Sequence, residues 1–125
     1  MTSVGIVEDD TAVREALCFS LEREGFTVRT FGSATAFLED GDALRLDCLV
    51  VDQQMPEMTG VELVIALRRR GCLIPAILIT TWPDHALRLR AIEAGCRAVL
   101  EKPLTGSALA DLIHAATDEA WSTSV

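Results

Sequence analysis

Cysteine is scarce and scattered: Cys18, Cys48, Cys72 and Cys96 lie far apart and form no C-x-x-C pair. Each sits within or beside an apolar stretch, the usual setting of a small buried hydrophobe in a reducing compartment. Long apolar runs are missing too. No stretch approaches the ~18 residues a membrane helix needs, and no charged segment followed by an apolar one opens the chain. A cytoplasmic location is therefore expected. Basic residues are in deficit, with 11 Lys and Arg against 19 Asp and Glu and a formal net charge of -8. That balance disfavours non-specific binding of nucleic acid or of an anionic membrane by this domain. Linkers and low-complexity tracts are also absent, and the tail after Ala120 (WSTSV) is too short for a second domain.

What is present suits a single domain spanning residues 1–125. Half of the residues are hydrophobic, which argues against disorder. At this size folding buries roughly two-thirds of the unfolded chain's surface, enough for a core without staples.

Short apolar runs alternate with helical patterns. Ser3 to Val7, Asp47 to Val51, Ala76 to Thr80 and Ala98 to Leu100 predict strands, and Phe26 to Phe31 alternates like a strand near an edge. Helices are expected from Thr11 to Glu24, from Ser33 as cap through Leu38, from the capping box Thr59-Gly60-Val61-Glu62 toward Gly71, from the cap Asp84 to Ala94, and from Thr105 to about Glu119. Strict alternation of this kind predicts an α/β fold: a doubly wound, five-stranded parallel sheet with helices on both faces.

In such sheets, sites form outside the carboxyl ends of the strands. Glu8, Asp9 and Asp10 follow the first strand and Asp52 follows the third. Thr80, Thr81 and Trp82 close the fourth, and Glu101, Lys102 and Pro103 follow the last. Carboxylates sharing a small site repel one another, which raises a pKa or calls for a cation. An all-oxygen site suits Mg²⁺, and Lys102 can offset further charge. Each feature also has an ordinary reading. The first acids suit a helix N-terminus, Asp52 suits a turn before Pro56, and a Thr or Lys at a strand end is commonplace. Their coincidence on one edge favours a phosphoryl acceptor centred on Asp52, since aspartate is a known nucleophile of this type.

The motifs VGIVEDD, VVDQQMPEMTGVEL, ILIT and AGCRAVLEKP together resemble the receiver domain of bacterial two-component response regulators. The match covers nearly the whole chain, and within the family the chain is most similar to the FixJ/NarL-type transcriptional regulators. The resemblance implies a flavodoxin/CheY-like fold with strand order 2-1-3-4-5. It implies Asp52 as phosphoacceptor, Asp9 as a direct Mg²⁺ ligand, Glu8 as a ligand through water, and the backbone carbonyl of Gln54 as a third protein ligand. Thr80 would bond the phosphoryl oxygen and move on activation. Lys102 would pair with the phosphoryl group and form a cis peptide with Pro103. Asp10, one place past the acid pair, would start the first helix. A sensor histidine kinase would be the partner. Phosphorylation would reshape the surface of the fourth helix, fifth strand and fifth helix, where a second copy or an output domain could dock. Any DNA-binding output part lies outside these residues.

Three positions depart from the family pattern. Val99 stands where a Tyr or Phe usually reports the switch, Thr81 where Ala or Gly is common, and bulky Trp82 two past Thr80. Trp82 and Gln54 flank the path of an attacking water and are read as tuning phosphoryl loss. A pseudo-receiver, binding partners without phosphorylation, is the alternative. A flavodoxin fits poorly, because acids after the first strand would repel FMN phosphate. A haloacid-dehalogenase-type phosphatase also fits poorly, because its Asp would follow the first strand.

Overall fold

Central strands of a parallel sheet are apolar at every position because neither face meets water. The computed structural model describes residues 2–104 and 107–123. Its strands are β1 (Ser3–Val7), β2 (Thr27–Phe31), β3 (Cys48–Asp52), β4 (Ala76–Thr80) and β5 (Ala98–Glu101). Its helices are α1 (Thr11–Arg23), α2 (Ala34–Glu39), α3 (Gly60–Arg69), α4 (His85–Ala94) and α5 (Ala108–Thr123), with a 3-10 turn at Ala43–Arg45. Every pairing is parallel and the order is β2-β1-β3-β4-β5, the expected topology. β3 and β4 are buried along their whole length, while β2, at the edge, is mostly exposed.

Side chains alternate across the sheet with period two. Val4, Ile6, Cys48, Val50, Ile77 and Ile79 pack on one face against Leu17 and Leu21 of α1 and Leu109 and Ile113 of α5. Val7, Leu49, Val51 and Leu78 pack on the other, with Phe37 of α2, Leu63 and Leu67 of α3, and Leu87 and Ala91 of α4. Full burial of each of these Val, Leu, Ile and Phe side chains contributes roughly 1.5–3 kcal/mol.

The expected caps are all formed. Asp10 accepts from the Val13 N–H at 3.0 Å, Ser33 from Ala36 at 3.0 Å, and Asp84 from Leu87 at 2.8 Å. Thr59 and Glu62 make the reciprocal capping box: the Thr59 hydroxyl accepts from the Glu62 N–H at 3.2 Å, and the Glu62 carboxylate from the Thr59 N–H at 2.8 Å. Gly95 ends α4 at φ +99°, a left-handed backbone that costs glycine little.

Boundaries shift at a few ends. β3 starts one residue later than expected and takes in Asp52, whose Cα pairs with Ile79. β5 runs on to Glu101 because that residue pairs with Thr80. The expected start of the last helix at Thr105 falls outside the described residues, and α5 continues to Thr123, since neither Gly nor Pro intervenes to stop it.

The four cysteines are free. Burial pushes the Cys48 thiol up to about 12 and the Cys96 thiol up to about 11, so both are packing groups rather than nucleophiles at neutral pH. Among the described residues, no helix is long and apolar enough to cross a membrane.

Candidate functional site

The sheet's alternation builds the site. Glu8 continues the step of Val4 and Ile6, Asp52 that of Cys48 and Val50, and Lys102 that of Ala98 and Leu100, all residues of the face covered by α1 and α5. Three strands thus deliver two acids and a lysine to one end of one face. The Lys102 ammonium lies 3.0 Å from Glu8 Oε2 and 3.0 Å from Asp52 Oδ1. Both acids are buried, and neither of these oxygens has another hydrogen-bond partner. Asp9 is exposed beside them, and one carboxylate oxygen each from Glu8, Asp9 and Asp52 lies within 4.8 Å of the others.

Burial pushes the Glu8 carboxyl above its ordinary value. The Lys102 ammonium and the Asp10 N–H pull it back, and the Asp52 charge pushes it up again. For Lys102, burial works downward, but its contacts with Glu8 and Asp52 outweigh it, so the ammonium is held charged above the usual lysine range. The ammonium is therefore the counter-charge shared by Glu8 and Asp52. An all-oxygen donor set of this spacing fits a hard divalent cation such as Mg²⁺.

Thr80 follows the parity of Ala76 and Leu78, the opposite face. Its buried hydroxyl accepts from Gln54 Nε2 at 2.8 Å and from the Trp82 N–H at 3.1 Å. The Lys102 N–H donates to the Thr80 carbonyl at 2.8 Å, and the Lys102-Pro103 peptide is cis. Trp82 is 73% exposed. Val99 is half-buried against the α3–α4 side of the core.

Three contacts escaped the sequence reading. The buried Gln53 carbonyl Oε1 accepts from the Val61 N–H at 2.9 Å, fastening the Asp52 loop to the start of α3. The open N–H groups of that helix's first turn were the available signal. Arg14 Nη1 donates to the Glu8 carbonyl at 2.7 Å and bridges toward that of Asp9 at 3.5 Å, bracing the acid pair from α1. Gln54 was expected to offer its backbone carbonyl to a metal and to flank the path of an attacking water; that its side chain donates to Thr80 was not foreseen. Past Gln54 the Met58 N–H donates to the Pro56 carbonyl at 2.8 Å across Glu57 at φ +71°, a γ-turn whose central residue is strained.

Gly60 opens α3 where the chain passes close to Asp52. A Cβ there would lie 2.6 Å from Leu78 Cδ1 and 2.7 Å from the Asp52 carbonyl oxygen. The carbonyl is part of the sheet and cannot yield cheaply. Gly60→Ala is expected to lower stability by about 2–3 kcal/mol, read from urea unfolding. A loss under ~0.5 kcal/mol, the range of neutral surface changes, would mean that α3 shifts freely.

A doubly wound parallel sheet carrying a buried aspartate, an acid pair and a lysine at its carboxyl edge defines a class of aspartate-centred signalling domains. Residues 4–114 match the model of the response regulator receiver domain, and the chain belongs to that family. It is thus a receiver domain of the two-component kind, similar to FixJ-type transcriptional regulators. It is 38% identical over 112 residues to the transcriptional regulatory protein FixJ of Azorhizobium caulinodans, covering 90% of this chain and 53% of that one. It is 40% identical over 111 residues to the response regulator protein TmoT of Ectopseudomonas mendocina, covering 89% of this chain and 50% of that one. The crystal structure of FixJ-N aligns with a TM-score of 0.84 at 36% identity over 94% of each chain. That of chemotaxis protein CheY4 of Vibrio cholerae aligns at 0.86 with 25% identity, covering 93% of this chain and 98% of that one. The chain spans about half the length of these curated relatives.

Proposed function

We propose that Asp52 accepts a phosphoryl group from the phosphohistidine of a sensor kinase, and that the resulting charge switches the domain to control an output part, a transcriptional one by analogy with the FixJ-type relatives. The observation that carries this reading is the Lys102 ammonium, 3.0 Å from the buried carboxylates of both Asp52 and Glu8. An Asp52 oxygen would bond to phosphorus as the phosphorus–nitrogen bond of the donor breaks and the imidazole leaves. Lys102 would pair with the added oxygens, and the Thr80 hydroxyl would donate to one of them.

Asp9, Asp52 and the Gln54 carbonyl would hold Mg²⁺, with Glu8 acting through water. When bound, the ion would neutralise charge on the oxygens of the transferred group. The fixed ammonium and the buried acids fit a switch that accepts a phosphoryl group, since each is costly to keep without a partner.

The test is intact-mass measurement after treatment with acetyl phosphate. The expected result is a gain of one phosphoryl group with Mg²⁺ present and none with EDTA. No gain under either condition would sink the phosphoacceptor reading and leave an interaction module that works without phosphorylation.

A further inference from the structure

The oxygen of the hydroxyl that the proposed reaction needs is already held in place from two sides. A threonine oxygen offers two acceptor lone pairs and one proton. At Thr80 both lone pairs are taken, by the Gln54 side-chain amide at 2.8 Å and the Trp82 N–H at 3.1 Å. These donors come from two different loops, the one after β3 and the one after β4. The Thr80 hydroxyl therefore ties the phosphoacceptor's loop to the loop that leads into α4. Gln54 is otherwise exposed, whereas Thr80 is fully buried, so the amide reaches inward to make this bond.

We propose that Gln54 is a positioning residue that latches Thr80 in the resting domain, so that the switch has to break the Gln54–Thr80 bond before the hydroxyl can turn to an added phosphoryl group. The inference rests on the phosphoacceptor reading for its second half only. The resting latch is a property of the unphosphorylated chain. Once the hydroxyl turns, the Trp82 N–H loses its acceptor as well, because it hangs on the same oxygen. The loop after β4 would then move as a consequence of one hydroxyl changing partner, with no strand-five aromatic required; Val99 offers none.

Two measurements on the whole chain test this. In the first, amide exchange is followed without any phosphoryl donor. Gln54→Ala keeps the backbone carbonyl but removes the latch, and exchange of the Trp82 N–H is expected to rise roughly 2- to 10-fold, the equilibrium worth of one net hydrogen bond. Unchanged exchange overturns the latch whatever the chemistry at Asp52. In the second, calorimetry measures the affinity for beryllofluoride, a phosphoryl mimic, with Mg²⁺ present. Gln54→Ala is expected to bind it roughly 2- to 10-fold more tightly. In a Thr80→Val background the same substitution is expected to have no effect, because the latch has lost its other half. Weaker binding in Gln54→Ala, or an equal gain with and without the Thr80 hydroxyl, overturns the proposal. If the native chain takes up no beryllofluoride while exchange at Trp82 still responds to Gln54→Ala, the phosphoacceptor reading fails and the resting latch stands.

Discussion

Asp52→Asn is expected to abolish phosphoryl uptake while leaving the fold intact. Asparagine matches aspartate in volume and can still turn its amide oxygen toward Lys102, 3.0 Å from the native Oδ1. What it lacks is an anionic oxygen that can bond to phosphorus. Glu8 does not offer a substitute, since its carboxylate is buried and its two oxygens are taken by Lys102 and the Asp10 N–H. Intact-mass spectra after acetyl phosphate and Mg²⁺ treatment should show no gain, against a full phosphoryl gain in the native chain. The substitution also removes one of the charges that hold the Glu8 carboxyl high, so Glu8 should titrate lower in the variant. Retained phosphorylation in Asp52→Asn would move the acceptor to another acid, with the exposed Asp9 as the first to examine.

Lys102→Met carries the second large effect. Methionine keeps the length of the side chain and removes its charge, leaving Glu8 Oε2 and Asp52 Oδ1 buried with no counter-charge. Removing one partner of a buried ion pair costs about 3 kcal/mol or more, a fall in Tm of roughly 10 °C for a domain of this size. Phosphoryl uptake should also slow about 10²-fold, as when one group stabilising a developing oxyanion is lost.

The stability loss should depend on pH. Burial already holds the Glu8 carboxyl above its ordinary 4.5, and without Lys102 the main downward pull is gone. A carboxyl whose folded pKa is raised favours the fold below its unfolded pKa and loses that contribution as pH rises through the folded value. The deficit of Lys102→Met should therefore be largest near neutral pH and narrow as pH falls toward 4.5. Lys102 itself is raised, so in the native chain its contribution is present below 10.5 and is lost as pH climbs through the folded value. Urea unfolding at neutral and acid pH checks the trend, and millimolar Mg²⁺ should restore part of the loss. A deficit below ~1 kcal/mol, flat with pH, would place the ammonium in solvent rather than between the acids.

Most of the fold was legible because its signals are local. The Thr59–Glu62 capping box, the caps at Asp10, Ser33 and Asp84, and the stop at Gly95 each depend on residues within one turn, and each formed as expected. The candidate site was legible for a related reason. Parallel strands bring their carboxyl ends to one edge, so residues following four separate runs had to meet. Less legible were contacts in which a side chain chooses between partners. Gln53 and Gln54 are adjacent and chemically identical, yet one is buried against α3 and the other reaches Thr80. Nothing in their order distinguishes them, because the choice follows from how the chain turns after β3.

By itself the sequence determined the strand-and-helix order, the buried central sheet, and the edge where Glu8, Asp9, Asp52, Thr80 and Lys102 gather. Hydrophobic period and capping chemistry act over a few residues and need no distant partner to be read. Only the tertiary structure decided that Lys102 sits 3.0 Å from two acids at once, that Gly60 leaves no room for a methyl group beside the Asp52 carbonyl, and that Gln54 holds the Thr80 hydroxyl. Those are distances between segments far apart in the chain, set by strand register and helix packing to within an ångström, and no local pattern encodes them.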